Sequence, residues 1–173
     1  HAMAEQGWLV VTGAASGIME AGHLGAGREN SMGLNIMLPF EQGSNPIIAG
    51  DSKLVHMKYF FTRKLAFVKE SDAFILLPGG FGTVDEFAEM LTWNQLGIVA
   101  KPVVLLDIEG FWEPLLAWMD NAVEAGFVRS SHRMLAQRAR TVADAIALAT
   151  GPVPDTPHKW LDRDGTPAGG FIT

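Results

Sequence analysis

The sequence predicts an α/β protein with a Rossmann-like, doubly wound parallel sheet. Two observations lead to this class. Apolar, β-rich runs alternate with segments of helical periodicity, as in a parallel sheet covered on both faces. Segments rich in glycine and polar residues also follow several of these runs, where such sheets bind ligands. The 173 residues, 48% hydrophobic and 18% charged, suit a single globular domain.

The predicted elements follow one another along the chain. Strands are expected where apolar and β-branched residues run together, at 8–12, 31–38, 73–77, 102–106 and, more weakly, 139–142. Helices are expected where apolar residues recur every three to four positions, at 17–26, 58–71, 84–96, 111–125 and 142–149. Three segments then fall at the C-terminal ends of strands: 13–19, 39–52 and 78–86.

The two ends of the chain differ from this pattern. Residues 1–7 resemble the last turns of a helix with Gly7 as its C′ residue. Two interpretations are open: a strand–helix unit precedes these residues, or residues 1–3 are left over from cloning. Residues 151–173 hold four of the nine prolines and little periodicity. We therefore predict a domain over 1–150 and an irregular tail over 151–173.

Composition narrows the function classes. The net charge of −6 argues against a nucleic-acid partner, and no apolar run approaches a membrane span. The chain has no cysteine, which excludes disulfides, thiolate nucleophiles and Cys-ligated zinc. The histidines show no metal-ligand spacing, so no metal site is expected. A cytoplasmic location is the default expectation.

The segment PGGFGTVDE, residues 78–86, carries the clearest functional pattern. Gly79, Gly80 and Gly82 follow a predicted buried strand and precede a predicted helix. Glycines let an anion approach the backbone, and a helix N-terminus offers unpaired N–H groups and a positive dipole end. Thr83 can cap that helix or bind a phosphate oxygen. The segment therefore predicts a phosphate-binding turn.

Glu86 has two interpretations that the spacing leaves open. Thr83 and Glu86 fit the S/T-x-x-E capping box, in which the glutamate only returns to the helix N-terminus. Alternatively Glu86 is catalytic. Asp85 and Glu86 beside a phosphate would repel it unless a cation intervenes.

A cation is available on the predicted helix 58–71. Phe61, Leu65 and Val68 are spaced as its core stripe, and Arg63 points about 200° away from Phe61 at the 3.6-residue helical period. Taken alone, Arg63 is typical of a solvated residue.

These residues together resemble the LOG ("lonely guy") family of cytokinin riboside 5′-monophosphate phosphoribohydrolases, whose members are often labelled lysine decarboxylases. The resemblance rests on the PGGxGTxxE segment, on the Arg63-Lys64 pair, on Gly17-Ile18-Met19-Glu20-Ala21 and on the 33–46 segment that ends in Asn45-Pro46. It covers roughly residues 5–150. One departure stands out, since the family's first glycine cluster reads GGG-x-x-G-[IL]-M and here Ala14 and Ala15 replace two glycines.

The resemblance implies a homodimeric hydrolase that cleaves the N-glycosidic bond of a nucleoside 5′-monophosphate without a cofactor. Arg63 and Glu86 match its catalytic residues, and Gly79, Gly80, Gly82 and Thr83 its phosphate-binding turn. The other nucleotide-binding positions that we infer are Gly13, Gly17, Met19 and Lys64. Residues 84–96 show apolar positions on two helical faces, which is typical of a helix that covers both a sheet and a second subunit.

Three other functions match parts of the sequence. A nucleotide or molybdenum-cofactor carrier would keep the fold and the turn without chemistry, and the Arg63/Glu86 pair argues against it. A dinucleotide oxidoreductase would need G-x-G-x-x-G, whereas Gly13 and Gly17 supply only G-x-x-x-G, although Glu41 lies near the expected acidic position. A pyridoxal phosphate decarboxylase would need an activated lysine, and no lysine is marked as one.

Overall fold

The computed structural model of the protein describes residues 1–37 and 43–156. The chain divides into two compact units, residues 1–72 and residues 73–173, and each contains its own three-stranded parallel sheet. None of the helices within the described residues is long and apolar enough to span a lipid bilayer.

Unit 1 alternates strands and helices. In chain order it contains α1 (Ala2–Glu5), β1 (Val10–Thr12), α2 (Ile18–Ala26), a 3₁₀ turn (Arg28–Asn30), β2 (Ser31–Ile36), β3 (Leu54–Met57) and α3 (Phe60–Glu70). The strand order is β1-β2-β3, with Val10 opposite Ser31 and Gly33 opposite Leu54. The central strand β2 is the most buried of the three, as expected for a strand with neighbours on both sides.

Unit 2 follows the same plan. It contains β4 (Phe74–Leu76), α4 (Phe81–Gln95), β5 (Val103–Leu106), α5 (Glu113–Glu124), α6 (Ser130–Arg133), β6 (Ala136–Ala139) and α7 (Val142–Ala149). The strand order is β4-β5-β6, with Leu76 opposite Leu105 and Leu106 opposite Ala139. All four residues of the central strand β5 are buried.

The core of unit 2 forms where α7 packs on this sheet. Val104 and Leu106 of β5 contact the small residues of β6 and α7 in one buried cluster, whose remaining members are Ala139, Ala145 and Ala149. Alanines allow the helix to lie close to the strands, which explains why an alanine-rich segment forms this helix rather than an exposed loop.

The predicted fold class is confirmed, since parallel strands and helices alternate through both units. The short helix before β1 is also confirmed: α1 ends before Gly7, which has a φ of 81° as a C′ glycine requires. The division into 1–150 and 151–173 stays a prediction. Residues 157–173, which include His158, lie outside the described residues.

Two strand predictions were wrong. The last strand is Ala136–Ala139 rather than 139–142, because Thr141 is the N-cap of α7 and its hydroxyl accepts a hydrogen bond from Asp144 N at 3.1 Å. The β-branched side chains of Thr141 and Val142 suggested a strand, but in the structure Thr141 caps α7 and Val142 begins it. The strand β3 was missed, since it is short, polar at His56 and half-exposed.

The predicted core face of α3 was also wrong, and the two apolar faces of α4 have a different exposure from the one expected. On α3, Val68 is buried, but Phe61 is 68% exposed and Leu65 is also exposed. On α4, Phe87 and Met90 are buried and most of the other large apolar side chains are half-buried. Within α4, all of which is described, Phe81 is the large apolar side chain that stays exposed, at 96%. The expected second apolar face on 84–96 is therefore largely covered within the chain itself.

Candidate active site

Unit 1 contributes the loop between β1 and α2, residues 13–17, called here the first glycine loop. Gly17 is the N-cap of α2 and has a φ of 73°, in the left-handed region that favours glycine. Ala14 is fully buried and also has a positive φ, 60°. A glycine would meet no steric penalty there, so the alanine that departs from the family pattern occupies a strained backbone position.

The buried methyl group of Ala14 explains Gly33 in β2. A Cβ atom at position 33 would lie 2.9 Å from Ala14 Cβ and 2.7 Å from Leu54 Cδ1. Both distances are shorter than real Cβ contacts allow, so Gly33 leaves the space that Ala14 fills.

Arg63 lies against the first glycine loop. A Cβ at Gly13 would be 3.0 Å from Arg63 Nη1 and 3.0 Å from Met19 Sδ, so Gly13, Met19 and Arg63 come together in unit 1. The Arg63 guanidinium also lies 5.4 Å from the ring centroid of Phe60 and 5.6 Å from that of Phe67. These are cation–π distances. The inward side of α3 therefore carries Arg63, which corrects the expectation of a solvated residue.

The remaining predicted site residues of unit 1 are Lys64 and Gly17. Lys64 is half-buried beside Arg63 on α3, and Gly17 starts α2. Part of the predicted ligand-binding segment 39–52, with Glu41, falls outside the described residues. Unit 1 thus brings Gly13, Met19 and Arg63 into contact.

Unit 2 contributes the turn after β4, residues 78–83, called here the glycine turn. None of its three glycines has a positive φ, and Gly80 is extended at φ −98° and ψ −151°. Left-handed backbone is therefore not the reason for the glycines in this turn. A Cβ at Gly79 would overlap the Thr83 hydroxyl and lie 3.0 Å from Thr83 Cβ, so Gly79 is explained by Thr83 packing on it.

Gly80 and Gly82 have a different environment. A Cβ at either position would meet no atom within 4 Å. The folded chain therefore leaves open space over both glycines, where a small anion can reach the backbone.

Helix α4 begins at Phe81, with Gly80 as its N-cap, and Val84 N donates to Gly80 O at 3.1 Å. Of the two roles that the sequence left open for Thr83, the N-cap is excluded, because Gly80 takes that position three residues earlier. Among the described residues no side chain caps the helix, and its first turn holds no acidic residue. The first-turn N–H groups of α4 therefore face the open space over Gly80 and Gly82 without a side-chain acceptor from the cap.

This helix start excludes one of the two interpretations of Glu86, the capping box. A capping-box glutamate occupies the third helical position, and Glu86 lies in the second turn of α4, half-buried. The capping-box interpretation is therefore wrong, and Glu86 needs another explanation.

The loop that follows β5 lies beside the glycine turn at the same edge of the sheet, since β4 and β5 are adjacent and parallel. Asp107 anchors this loop: its Oδ1 accepts a hydrogen bond from Trp112 N at 3.1 Å, and its Oδ2 lies 2.6 Å from Arg138 Nη2. Arg138 also bonds Glu113 at 2.7 Å. The hydrogen bond to Glu113, with that to Asp107, raises the pKa of Arg138 above its usual value.

A cavity of about 480 Å³ opens elsewhere in unit 2. It is lined by Arg138, Arg140, Asp144, Ala147 and Leu148. None of these was predicted as a site residue, and the Arg138 head group is already paired with two carboxylates. Within the described residues, no group of three or more acidic or histidine side chains could hold a metal ion.

Sequence comparison shows the family to which the chain belongs. The model of a protein family described as "Possible lysine decarboxylase" matches residues 11–149, which is most of the chain. This range includes both glycine segments, Arg63 and Glu86. The chain belongs to this family, the LOG family.

Curated relatives carry names from the same family. The probable cytokinin riboside 5′-monophosphate phosphoribohydrolase LOGL5 of Oryza sativa subsp. japonica is 38% identical over 154 residues, 87% of this chain and 61% of that protein. The Arabidopsis thaliana enzyme LOG2 is 40% identical over 109 residues, 62% of this chain and 51% of its own. The rice relative LOGL2 is 49% identical over 84 residues, 49% of this chain and 34% of its own. The chain thus spans between about a third and three fifths of these LOG-family relatives.

The structure adds residues that the sequence did not single out. The first glycine loop is held by a hydrogen-bond network of Thr12, His23 and Asn45. The rings of Phe60 and Phe67 flank Arg63. Asn45 belonged to the LOG-type segment, which was the one available signal. Nothing in the sequence marked His23 beyond its being an ordinary histidine.

Proposed function

We propose that the protein is a hydrolase that cleaves the N-glycosidic bond of a nucleoside 5′-monophosphate, of the AMP or cytokinin riboside monophosphate type. The observation that carries the proposal is the start of α4. An uncapped helix N-terminus faces open space over two glycines, and a carboxylate that is not a cap follows in the next turn. Membership of the LOG family and the names of the relatives agree with this reaction.

In the proposed binding mode the 5′-phosphate lies on the glycine turn. The N–H groups at Gly80 and Gly82 donate to phosphate oxygens, and the helix dipole favours the negative charge. The Thr83 hydroxyl is close enough to the turn to add a further donor, since it packs on Gly79. The first glycine loop, with Gly13, Gly17 and Met19, contributes to nucleotide binding.

The chemistry assigned to the site is a water-dependent displacement. The C1′–N bond breaks with its electron pair going to the base, water adds to C1′, and the water proton ends on the base or in solvent. The products are free base and ribose 5-phosphate. Glu86 stabilises the oxocarbenium-like transition state and orients the water, and Arg63, with Lys64 next to it, binds the substrate and balances negative charge.

The test of this assignment compares two neighbouring carboxylates. Glu86→Gln is expected to lower adenine release from AMP at least about 100-fold, the scale of a lost positioned catalytic group. Asp85→Asn removes the same charge from the exposed neighbouring position and serves as the matched control. For Arg63→Ala the control is Lys69→Ala, an exposed cation on the same helix.

The result also separates the enzyme from a carrier. If wild-type protein binds AMP but releases no adenine, the protein is a nucleotide carrier and the hydrolase proposal is wrong. If Glu86→Gln retains turnover while Asp85→Asn loses it, the catalytic carboxylate is Asp85.

We further propose that the enzyme is a homodimer. The apolar side chains of residues 84–96 are mostly buried or half-buried within the chain. Tyr59, Phe61 and Leu65 leave an apolar surface exposed on and beside α3, where the Tyr59 and Phe61 rings stack at 5.6 Å. Such a patch is typical of a subunit interface. Sedimentation as an 18.7 kDa species at micromolar concentration would contradict it. The cytoplasmic location expected from the composition stays a prediction.

A further inference from the structure

His23 of α2 is completely buried and uses both of its ring nitrogens. Its Nε2 lies 3.0 Å from Thr12 Oγ1 and 3.1 Å from the Met32 carbonyl oxygen. Its Nδ1 lies 3.1 Å from Asn45 Nδ2. One histidine therefore links β1, β2, α2 and the segment before β3.

The partners determine the tautomer of His23. A carbonyl oxygen only accepts, so Nε2 carries the hydrogen that points to Met32 O. The Asn45 amide nitrogen donates to Nδ1 and, at 3.2 Å, to Ala15 O, so Nδ1 is the acceptor. These hydrogen bonds require a neutral ring protonated at Nε2, because a hydrogen on Nδ1 would face another donor.

The partners of His23 hold the first glycine loop directly. Ala14 N donates to Thr12 Oγ1 at 3.0 Å, and Asn45 N donates to Ala14 O at 2.7 Å. With the Asn45 side chain on Ala15 O, three hydrogen bonds fix two successive loop residues, one of which has the strained positive φ. A strained backbone persists only where its surroundings hold it, which these bonds do.

The loop position matters because Gly13 lies against Arg63. The space at Gly13 is limited by Arg63 Nη1 and Met19 Sδ, each 3.0 Å from where a Cβ would be. A shift of the loop would therefore change where the guanidinium lies. A displacement of about 1 Å in such a group can cost about 100-fold in rate.

We propose that His23 and Asn45 are positioning residues for the reaction: through the first glycine loop they set the place of Arg63 and the binding geometry of the nucleotide, without touching it. The proposal rests on the proposed function.

The test uses two substitutions that break different halves of the network. In His23→Gln the amide nitrogen can still reach Met32 O, but nothing accepts from Asn45. In His23→Asn the amide oxygen can still accept from Asn45, but the link to Thr12 and Met32 is lost. Because Asn45 holds both loop carbonyls, His23→Gln should be the more damaging for catalysis.

The readout is kcat and KM for adenine release from AMP, measured well below each variant's Tm and corrected for the folded fraction. His23→Gln is expected to lower kcat/KM at least about ten-fold, and His23→Asn less. His132→Asn is the matched control, since His132 on α6 is another buried histidine whose Nδ1 lies 3.0 Å from a side-chain amide, Gln95 Nε2. It should stay within about two-fold of wild type.

Folded His23→Gln with wild-type kcat/KM would overturn the proposal, even if its Tm fell, because a purely structural histidine changes only stability. If the His23 variants do not fold, Asn45→Ala tests the same link, and wild-type kinetics of that variant would overturn the proposal equally. Nitrogen NMR of the wild-type ring provides a readout without activity: the Nδ1–H tautomer would contradict the network. A failure of the proposed function has a different result, since wild-type protein would then release no adenine.

Discussion

The glycine turn allows stability and activity to be separated by single methyl groups. At Gly82, within the first turn of α4, an added Cβ meets no atom within 4 Å. Alanine is favoured over glycine in helices, so Gly82→Ala should raise the free energy of unfolding by about 0.5–1 kcal/mol. The same methyl group would occupy the space assigned to the phosphate. Losing one charge-assisted hydrogen bond, worth about 1.5–3 kcal/mol, lowers kcat/KM by about 10- to 100-fold.

Gly79→Ala should instead lower the free energy of unfolding. Its methyl group would overlap the Thr83 hydroxyl, and overpacking of this kind costs about 1–3 kcal/mol. The double variant Gly79→Ala/Thr83→Ala removes the overlapping atom, so most of that cost should be recovered as a coupling energy.

The assay is urea unfolding together with adenine release from AMP on the same preparations. Ala88→Gly, at an exposed position of α4, controls for helix propensity: it should lower stability by about 1 kcal/mol and leave kcat/KM unchanged. If Gly82→Ala is as active as wild type, no phosphate approaches that backbone, and the assignment of the glycine turn is refuted.

Two further predictions concern unit 1. Gly33→Ala should destabilise the protein by about 1–3 kcal/mol. The cost should be smaller in an Ala14→Gly background, which removes one of the two close contacts. Equal costs in both backgrounds, measured by urea unfolding, would contradict the packing. Hydrogen bonds from Lys53, with Arg28 nearby, lower the pKa of Asp51 from 3.8 to about 2. This carboxylate therefore stabilises the fold above pH 4, and its contribution is lost as the pH falls toward 2. The stability difference between wild type and Asp51→Asn should shrink over that interval, and a difference that stays constant would contradict the linkage.

The sequence predicted the alternation of strands and helices because this alternation depends on local patterns. The phosphate-binding role of residues 78–86 stays a prediction. The sequence misplaced the start of α4, because a glycine N-cap leaves no side-chain signal and Thr83 imitates one. It also reversed α3: hydrophobic periodicity assigned Phe61 to the core, whereas the helix turns Arg63 toward Gly13 and leaves Phe61 exposed. A helix face that packs a charged side chain against a loop violates the apolar pattern on which such predictions depend.

The support beneath the first glycine loop lay beyond sequence reasoning for a different reason. His23 and Asn45 are 22 positions apart, and their hydrogen bond exists only because β1, β2 and α2 are packed together. The positive φ of Ala14 is equally a product of this packing, since alanine does not favour that conformation by itself. The spacing of residues along the chain predicts neither the His23–Asn45 hydrogen bond nor the positive φ of Ala14.

In the proposed function the glycine turn binds a single terminal phosphate and the bound nucleotide is hydrolysed. The most direct measurement is kcat/KM for free adenine release from adenosine and from AMP at the same enzyme concentration. Several charge-assisted hydrogen bonds, each worth about 1.5–3 kcal/mol, predict that AMP is preferred by about three decades or more. Comparable values for adenosine and AMP would contradict the account.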